Sequence, residues 1–255
     1  MVEWSISPQL NQFLTQLSCE KLTSSTGTED YMKRYIKPIA AIIWKDTLLE
    51  LRTKDTVVAV LVFSLLVVVV FSFAVDPTPQ IVALTAPGVL WISFVFGGIL
   101  GMSRSFSSEA ENSSISTLLI APIGRDAIFF GKMLSSLLFM LLVEILVFPI
   151  FAALFNFPLL VIEMVPILVL STVAVVTVGT VFSSMSINTK AREVLLPVLF
   201  FPIALPAIIA AVEITGAVLQ GSGLLGVADW LPLLAAFDLI FLVVCPVAFS
   251  FVVQD

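Results

Sequence analysis

Six stretches of about twenty apolar residues, separated by short polar segments, constrain this chain more than any other feature. A helix needs about 20 apolar residues to cross a hydrocarbon core about 30 Å thick. Inside lipid, a helix also satisfies its own backbone N–H and C=O groups. The runs cover about 56–75, 84–102, 133–155, 164–187, 194–214 and 231–253. After the first, Asp76-Pro77-Thr78-Pro79 turns the chain, because two prolines and an aspartate cannot continue a helix. Of 255 residues, 59% are hydrophobic and 12% charged, against about 45–50% and about 25% in soluble domains. That balance excludes a soluble single domain, a disordered chain and a nucleic-acid binder with a basic face. The expected fold is an all-α membrane protein with six transmembrane helices.

The basic residues orient it. Lys21, Lys33, Arg34, Lys37, Lys45, Arg52 and Lys54 precede the first run, Arg104, Arg125 and Lys132 lie between the second and third, and Lys190 and Arg192 between the fourth and fifth. Those are all twelve, and residues 76–83, 156–163 and 215–230 contain none. By the positive-inside rule both termini, the 103–132 segment and the 188–193 segment are cytoplasmic. The chain is then N-in/C-in, a multi-pass protein of the plasma (inner) membrane. The alternation also checks the count, since a missed helix would scramble it.

Residues 1–32 read as a polar N-terminal extension and 33–255 as the six-helix domain. No cleavable signal or transit peptide is expected, because residues 1–30 lack an apolar h-region and any arginine. Residues 38–52, PIAAIIWKDTLLELR, place Ile39, Ile42, Ile43 and Leu49 on one side, with Lys45, Asp46 and Arg52 elsewhere. A short amphipathic helix lying on the inner surface is expected there. The 215–230 segment is rich in small residues and is expected at the outer surface.

The chain has no histidine, which excludes Ser-His-Asp and Cys-His catalysis and removes the commonest metal and haem ligand. Gly124 to Gly131-Lys132 resembles a phosphate loop but has six intervening residues instead of four, with Met133 where Ser or Thr would hold Mg²⁺. No enzymatic activity, metal site or firmly bound cofactor is expected, and an ATPase driving transport would be a separate polypeptide. Cys19 and Cys245 make no disulfide framework.

Glu144 sits near the middle of the third run and Asp238 about a third of the way into the sixth. Every basic residue is assigned to a cytoplasmic segment, so neither acid has a cationic partner within a span. Each is protonated, bonded to Ser or Thr, open to water or paired with another subunit. A proton or substrate pathway is one reading, and a neutral carboxyl that helps helices associate is the other. Gly97 and Gly101 form a GxxxG pair that lets helix backbones approach closely, within the chain or between subunits. Pro197, Pro202 and Pro206 make the fifth span irregular.

The most informative segment is Ser103–Lys132. Its Ser, Glu and Asn residues give way to Leu118-Leu119-Ile120, stopped by Ala121-Pro122, and residues 125–132 then lead into the third span. Two readings stand: a short helix with an apolar face that a soluble partner grips, or a linker lying on the membrane surface.

Three motifs carry a resemblance. Ala86-Pro87-Gly88-Val89-Leu90-Trp91, the acidic-then-leucine pattern of Glu109–Pro122, and TKAREVLLPVLFFPIALP at 189–206 resemble corresponding stretches of the haem exporter protein B family (CcmB). The loop pattern is shared with ABC-2 type permeases in general. The chain departs from the family pattern where Ser113, Ser114 and Ser116 replace a Gly-x-Glu, and where Glu193 follows Arg192 in place of a glycine pair. The resemblance implies a non-enzymatic permease subunit of a haem-export complex in cytochrome c biogenesis. It implies a CcmA-like ATP-binding partner and a CcmC-like haem-handling partner, with haem as the transported or partner-held ligand. It also implies an ATPase-coupling loop that includes Glu109, Glu111, Leu118, Leu119, Pro122 and Arg125. Three other readings stay open: an ABC-2 permease for another substrate, a proton-coupled carrier using Glu144 and Asp238, and a non-transporting scaffold.

Overall fold

A computed structural model describes residues 29–74, 78–111, 123–155, 164–186, 192–221 and 229–252. These form seven helices: α1 (Glu29–Thr53), α2 (Asp55–Ala74), α3 (Pro79–Glu111), α4 (Arg125–Phe155), α5 (Met164–Ser186), α6 (Arg192–Leu219) and α7 (Trp230–Val252). From α2 onward, all six are long and apolar enough to cross a membrane. The chain is therefore an all-α multi-pass membrane protein, as the apolar runs predict.

Buried share separates the centre from the rim. In α5, 61% of the spanning window is buried, against 17% in α2 and 22% in α7. The central helix packs on α3, α4, α6 and α7. Its contact face is built of small and β-branched residues, with Ser171, Thr172, Ala174, Val175, Val178 and Thr180 all buried. Such residues let backbones approach closely where no hydrophobic effect drives helices together. Gly179 shows how tightly: a Cβ there would stand 2.4 Å from Met102 Cε of α3. At the rim, α2 exposes Val58, Val62, Leu66, Val70 and Phe73, an apolar face left uncovered by the rest of the chain.

Several boundaries move. The second span, expected at 84–102, is part of a helix running 79–111. Pro79 opens it, in the first-turn position where a missing N–H costs nothing. The third span was expected to start at 133 after a separate segment 125–132, but those residues are its first two turns. Gly124 closes them, its carbonyl accepting from the N–H groups of Ala127 and Ile128 at 3.0 and 3.2 Å. The fifth, expected at 194–214, continues to Leu219, so the first part of the expected outer segment 215–230 belongs to the bundle. Thr215 and Val218 are buried there. The helix ends where Gly221 adopts φ 78° and donates to Val218 O at 3.0 Å, a left-handed cap that glycine adopts without a Cβ clash. Pro202 and Pro206 do not divide α6.

The first helix is longer than the expected 38–52, running 29–53 with Pro38 inside it. Its buried stripe is also different: Pro38, Ile42 and Asp46 are buried, while Leu49 is exposed. The reason is that α1 packs on α4, where a lysine meets Asp46. One residue, Lys54 at φ 52°, joins α1 to α2. A lysine in this left-handed region is uncommon and marks a sharp elbow.

Candidate coupling site

The end of the bundle where α3 stops and α4 begins carries a buried ion pair. Lys132, in the second turn of α4, places Nζ 2.8 Å from Asp46 Oδ2 on α1. Lys45 Nζ reaches the other carboxylate oxygen at 2.9 Å. Ser135 Oγ is 3.4 Å from Asp46 Oδ2 and 2.9 Å from the Lys132 carbonyl. Lys132 also lies 5.6 Å from the centre of the Phe106 ring of α3, within cation–π range. Asp46 and Lys132 are 5% and 4% exposed.

Burial alone would push the Asp46 carboxyl up, but the ammonium groups of Lys132 and Lys45 outweigh it and hold the carboxyl below its ordinary value. Removing one member of such a pair leaves an uncompensated buried charge, at a cost of about 3–5 kcal/mol. Beside the pair the backbones nearly touch, since a Cβ on Gly131 would stand 2.9 Å from Ile42 Cβ. Sequence reasoning placed Asp46 off the apolar face and Lys132 in a cytoplasmic loop. The available signal was spacing: Asp46 follows Ile42 by one helical turn, on the same face.

Of the residues expected to couple to an ATPase, Glu109 and Glu111 fall in the last turn of α3, and Leu118, Leu119 and Pro122 lie outside the described residues. Arg125 opens α4, and its Nη1 donates to Ser250 O of α7 at 3.1 Å. It thereby ties the start of α4 to the end of the last helix.

Glu144 and Asp238 are both buried, at 2% and 4% exposure, but no hydrogen bond joins them. Glu144 Oε1 is 2.5 Å from Thr172 Oγ1 on α5, and the same hydroxyl lies 2.7 Å from Leu168 O. A hydroxyl has one proton. A neutral Glu144 donating to Thr172, which donates to Leu168 O, satisfies both contacts at once. Neither carboxyl oxygen of Asp238 has a hydrogen-bond partner among the described residues. Gly97 and Gly101 lie against α2, where a Cβ would stand 2.7 Å from Ser64 Oγ and 3.4 Å from Val60 Cγ2 respectively; Gly101 also lies against Phe139 of α4.

The chain matches the CcmB protein family model over residues 37–254. It is 30% identical over 175 residues to the heme exporter protein B of Rhodobacter capsulatus, covering 68% of this chain and 80% of that protein. The protein of the same name from Pseudomonas aeruginosa is 28% identical over 183 residues, 70% of this chain and 81% of its own length. That of Bradyrhizobium diazoefficiens is 25% identical over 211 residues, 82% and 94%. The match takes in the whole described bundle from α2 to α7 and the part of α1 from Lys37 onward that carries Asp46, and on that ground the chain belongs to the CcmB family.

Proposed function

We propose that this chain is the membrane permease subunit of an ABC-type complex for haem export or haem delivery in cytochrome c biogenesis. It couples ATP hydrolysis in a separate CcmA-like subunit to movement of its helices, and a CcmC-like membrane protein handles the haem. It sits in the plasma (inner) membrane with both termini cytoplasmic. The observation that carries the reading is family membership together with relatives bearing the name heme exporter protein B.

The shape of the bundle supports the ATPase part. At 1.5 Å per residue, α3 and α4 are about 50 and 46 Å long, against a core of about 30 Å. The surplus length is assigned to the ends marked by Arg104 and Arg125, where a soluble ATPase can reach the bundle. The α1 helix fits the inner membrane surface, because the stripe it turns away from α4, namely Ile36, Ala40, Trp44 and Leu48, is exposed and apolar. A tryptophan in that stripe suits the headgroup region, where an apolar ring with one polar N–H is favoured. Haem is cargo in this reading. With no histidine in the chain, any imidazole ligand to its iron comes from the partner.

The test is purification of the tagged chain from native membranes in mild detergent, with copurifying proteins identified by mass spectrometry. A P-loop ATPase together with a haem-handling membrane protein is the expected result. An ATPase without the haem partner would point to an ABC-2 exporter of another substrate. Recovery of neither would overturn the permease reading.

A further inference from the structure

Two ring-bearing residues fix how the acids inside the spans stand relative to one another. The Phe129 ring, near the start of α4, lies 5.6 Å from that of Phe249, near the end of α7, and Arg125 donates to Ser250 O beside it. Helices α4 and α7 therefore run antiparallel from a common level. Asp238 precedes Phe249 by eleven positions, which is about three helical turns, so it lies on the same face of α7 about 16 Å along the axis. Glu144 follows Phe129 by fifteen positions, about 22 Å along α4 and about 60° around it. The two acids are thus within about 6 Å of each other in depth, and α5 packs on both helices.

Both oxygens of Asp238, Oε2 of Glu144 and Oγ of Ser171 on α5 are buried with no hydrogen-bond partner among the described residues. Ser171 lies one turn from Val175 and two from Val178, in the apolar cluster on which Phe237 and Phe241 of α7 pack. No cation faces the acids. The α5 helix has no titratable side chain, and α7 adds only Cys245. On α4, Arg125 and Lys132 are bonded to Ser250 and Asp46, with Asp126 in the first turn. On α6, Arg192 and Glu193 open the helix and Glu213 is exposed. The charged residues of α1, α2 and α3 lie toward the end of the bundle where α4 begins. An ionised carboxyl here would be a buried charge with nothing to offset it.

We infer that Glu144 and Asp238 form a single internal site between α4, α5 and α7 whose ligand is water. Both carboxyls keep their protons. The water accepts from the Asp238 O–H and donates to Glu144 Oε2 and Ser171 Oγ, while the O–H of Glu144 stays on Thr172. Buried water characteristically holds two to four such otherwise unpaired groups. The site gives α7, a helix at the rim, a polar tie to α4 and α5 in the middle of the membrane. It goes beyond the permease reading and needs neither an ATPase nor haem for its test.

The experiment is infrared spectroscopy of the full chain in phospholipid bilayers at neutral pH, where exposed carboxyls are ionised and the bands of protonated carboxyls report the buried acids. Two such bands are expected, both moving on exchange into D₂O. Asp238→Asn should remove one and displace the other, and Glu144→Gln should do the reverse. If Asp238→Asn removes no band, Asp238 is ionised; if the remaining band stays where it was, the acids are separate; if neither band responds to D₂O, no water reaches them. Each of these results would overturn the inference. Thermal unfolding in the same bilayers is a second measure that does not depend on assigning bands. Glu144→Gln/Asp238→Asn is expected to lower the unfolding temperature no further than the more harmful single substitution, because either one breaks the shared link. Fully additive losses would overturn the single site.

Discussion

The indole N–H of Trp91 donates to Thr215 Oγ1 at 2.9 Å, joining α3 to α6 across 124 positions of sequence. Both residues are buried, and Trp91 packs edge-on against Phe94 with ring centres 6.0 Å apart. The bond explains why α6 is helical beyond its expected end. Thr215, in its last turns, is held inside the bundle by that donor.

Thr215→Val keeps the shape of the side chain and removes the acceptor, so the indole N–H is left buried and unpaired. Hydrogen bonds between membrane helices are worth about 0.6 kcal/mol on average and reach about 1.7. The cost here is expected toward the upper part of that range. A double-mutant cycle with Trp91→Phe, read by thermal unfolding in detergent, should give a coupling of about 1 kcal/mol. Additive effects of the two substitutions would show that the bond contributes nothing.

The spans were legible because their signal is one-dimensional: apolar length and basic flanks are properties of a single segment. The helix ends nearest the basic residues 104, 125 and 132 were less so. Residues 103–111 and 125–132 are polar enough to leave lipid, yet nothing in them breaks a helix, so α3 and α4 continue past the membrane. The Asp46–Lys132 and Trp91–Thr215 contacts were not legible at all, since each depends on which helix packs beside which. In a bundle whose faces are nearly all apolar, periodicity carries little of that information. Asp46 looked like a solvent-facing residue because the buried one of its two cations, Lys132, lies 86 positions away.

The Asp46–Lys132 pair has a defined response to acid. Asp46 is held below its ordinary value of 3.8 by Lys132 and Lys45, against the opposing effect of burial. A depressed carboxyl contributes stability that is fully present above its unfolded value and is lost as pH falls through the lower folded one. The α1–α4 contact should therefore persist from about pH 7 down to about pH 4 and loosen only below. Amide exchange of residues 38–50, taken as the ratio of Asp46→Asn to the unmodified chain, should be large at neutral pH and approach one in strong acid. A ratio near one at pH 7 would show that the pair does not hold α1.

Glycine substitutions should divide by position. Gly101→Ala would bring a Cβ to 2.5 Å from the Phe139 ring and to 3.4 Å from Val60, whereas a Cβ on Gly88 meets nothing within 4 Å. Overpacking a tight contact costs about 1–3 kcal/mol, while replacing an unobstructed helical glycine by alanine gains about 0.5–1 kcal/mol. Gly101→Ala should lower the unfolding temperature in detergent and Gly88→Ala raise it. Equal responses would mean that the α2–α3–α4 contact is looser than these distances.

Glu144→Gln separates a structural acid from a proton carrier. The amide has nearly the shape of a neutral carboxyl, and its NH₂ can donate to Thr172 in place of the acid proton. If Glu144 only bonds α4 to α5, haem delivery by the complex should stay within two-fold of normal. If Glu144 carries protons, transport should be lost, and the secondary-carrier reading would gain over the permease. Glu144→Leu serves as the control for the bond itself, leaving Thr172 with only Leu168 O, and should lower stability without the selective loss of transport.

The proposed ATPase contact is tested at Leu119, in the sequence between α3 and α4. A soluble subunit that grips an exposed apolar side chain gains most of its affinity from a few buried residues, and a charge placed there must be desolvated without a partner. Leu119→Asp should therefore cost at least ten-fold in retention of the ATPase. The spans, which Leu119 follows by eight positions beyond the end of α3, should unfold at an unchanged temperature. Copurification of the ATPase with the variant and with the unmodified chain, quantified side by side in the same detergent, measures the first. Unfolding followed by tryptophan fluorescence measures the second. Undiminished retention of the ATPase would remove Leu119 from the coupling surface, and loss of both retention and thermal stability would assign it to the fold.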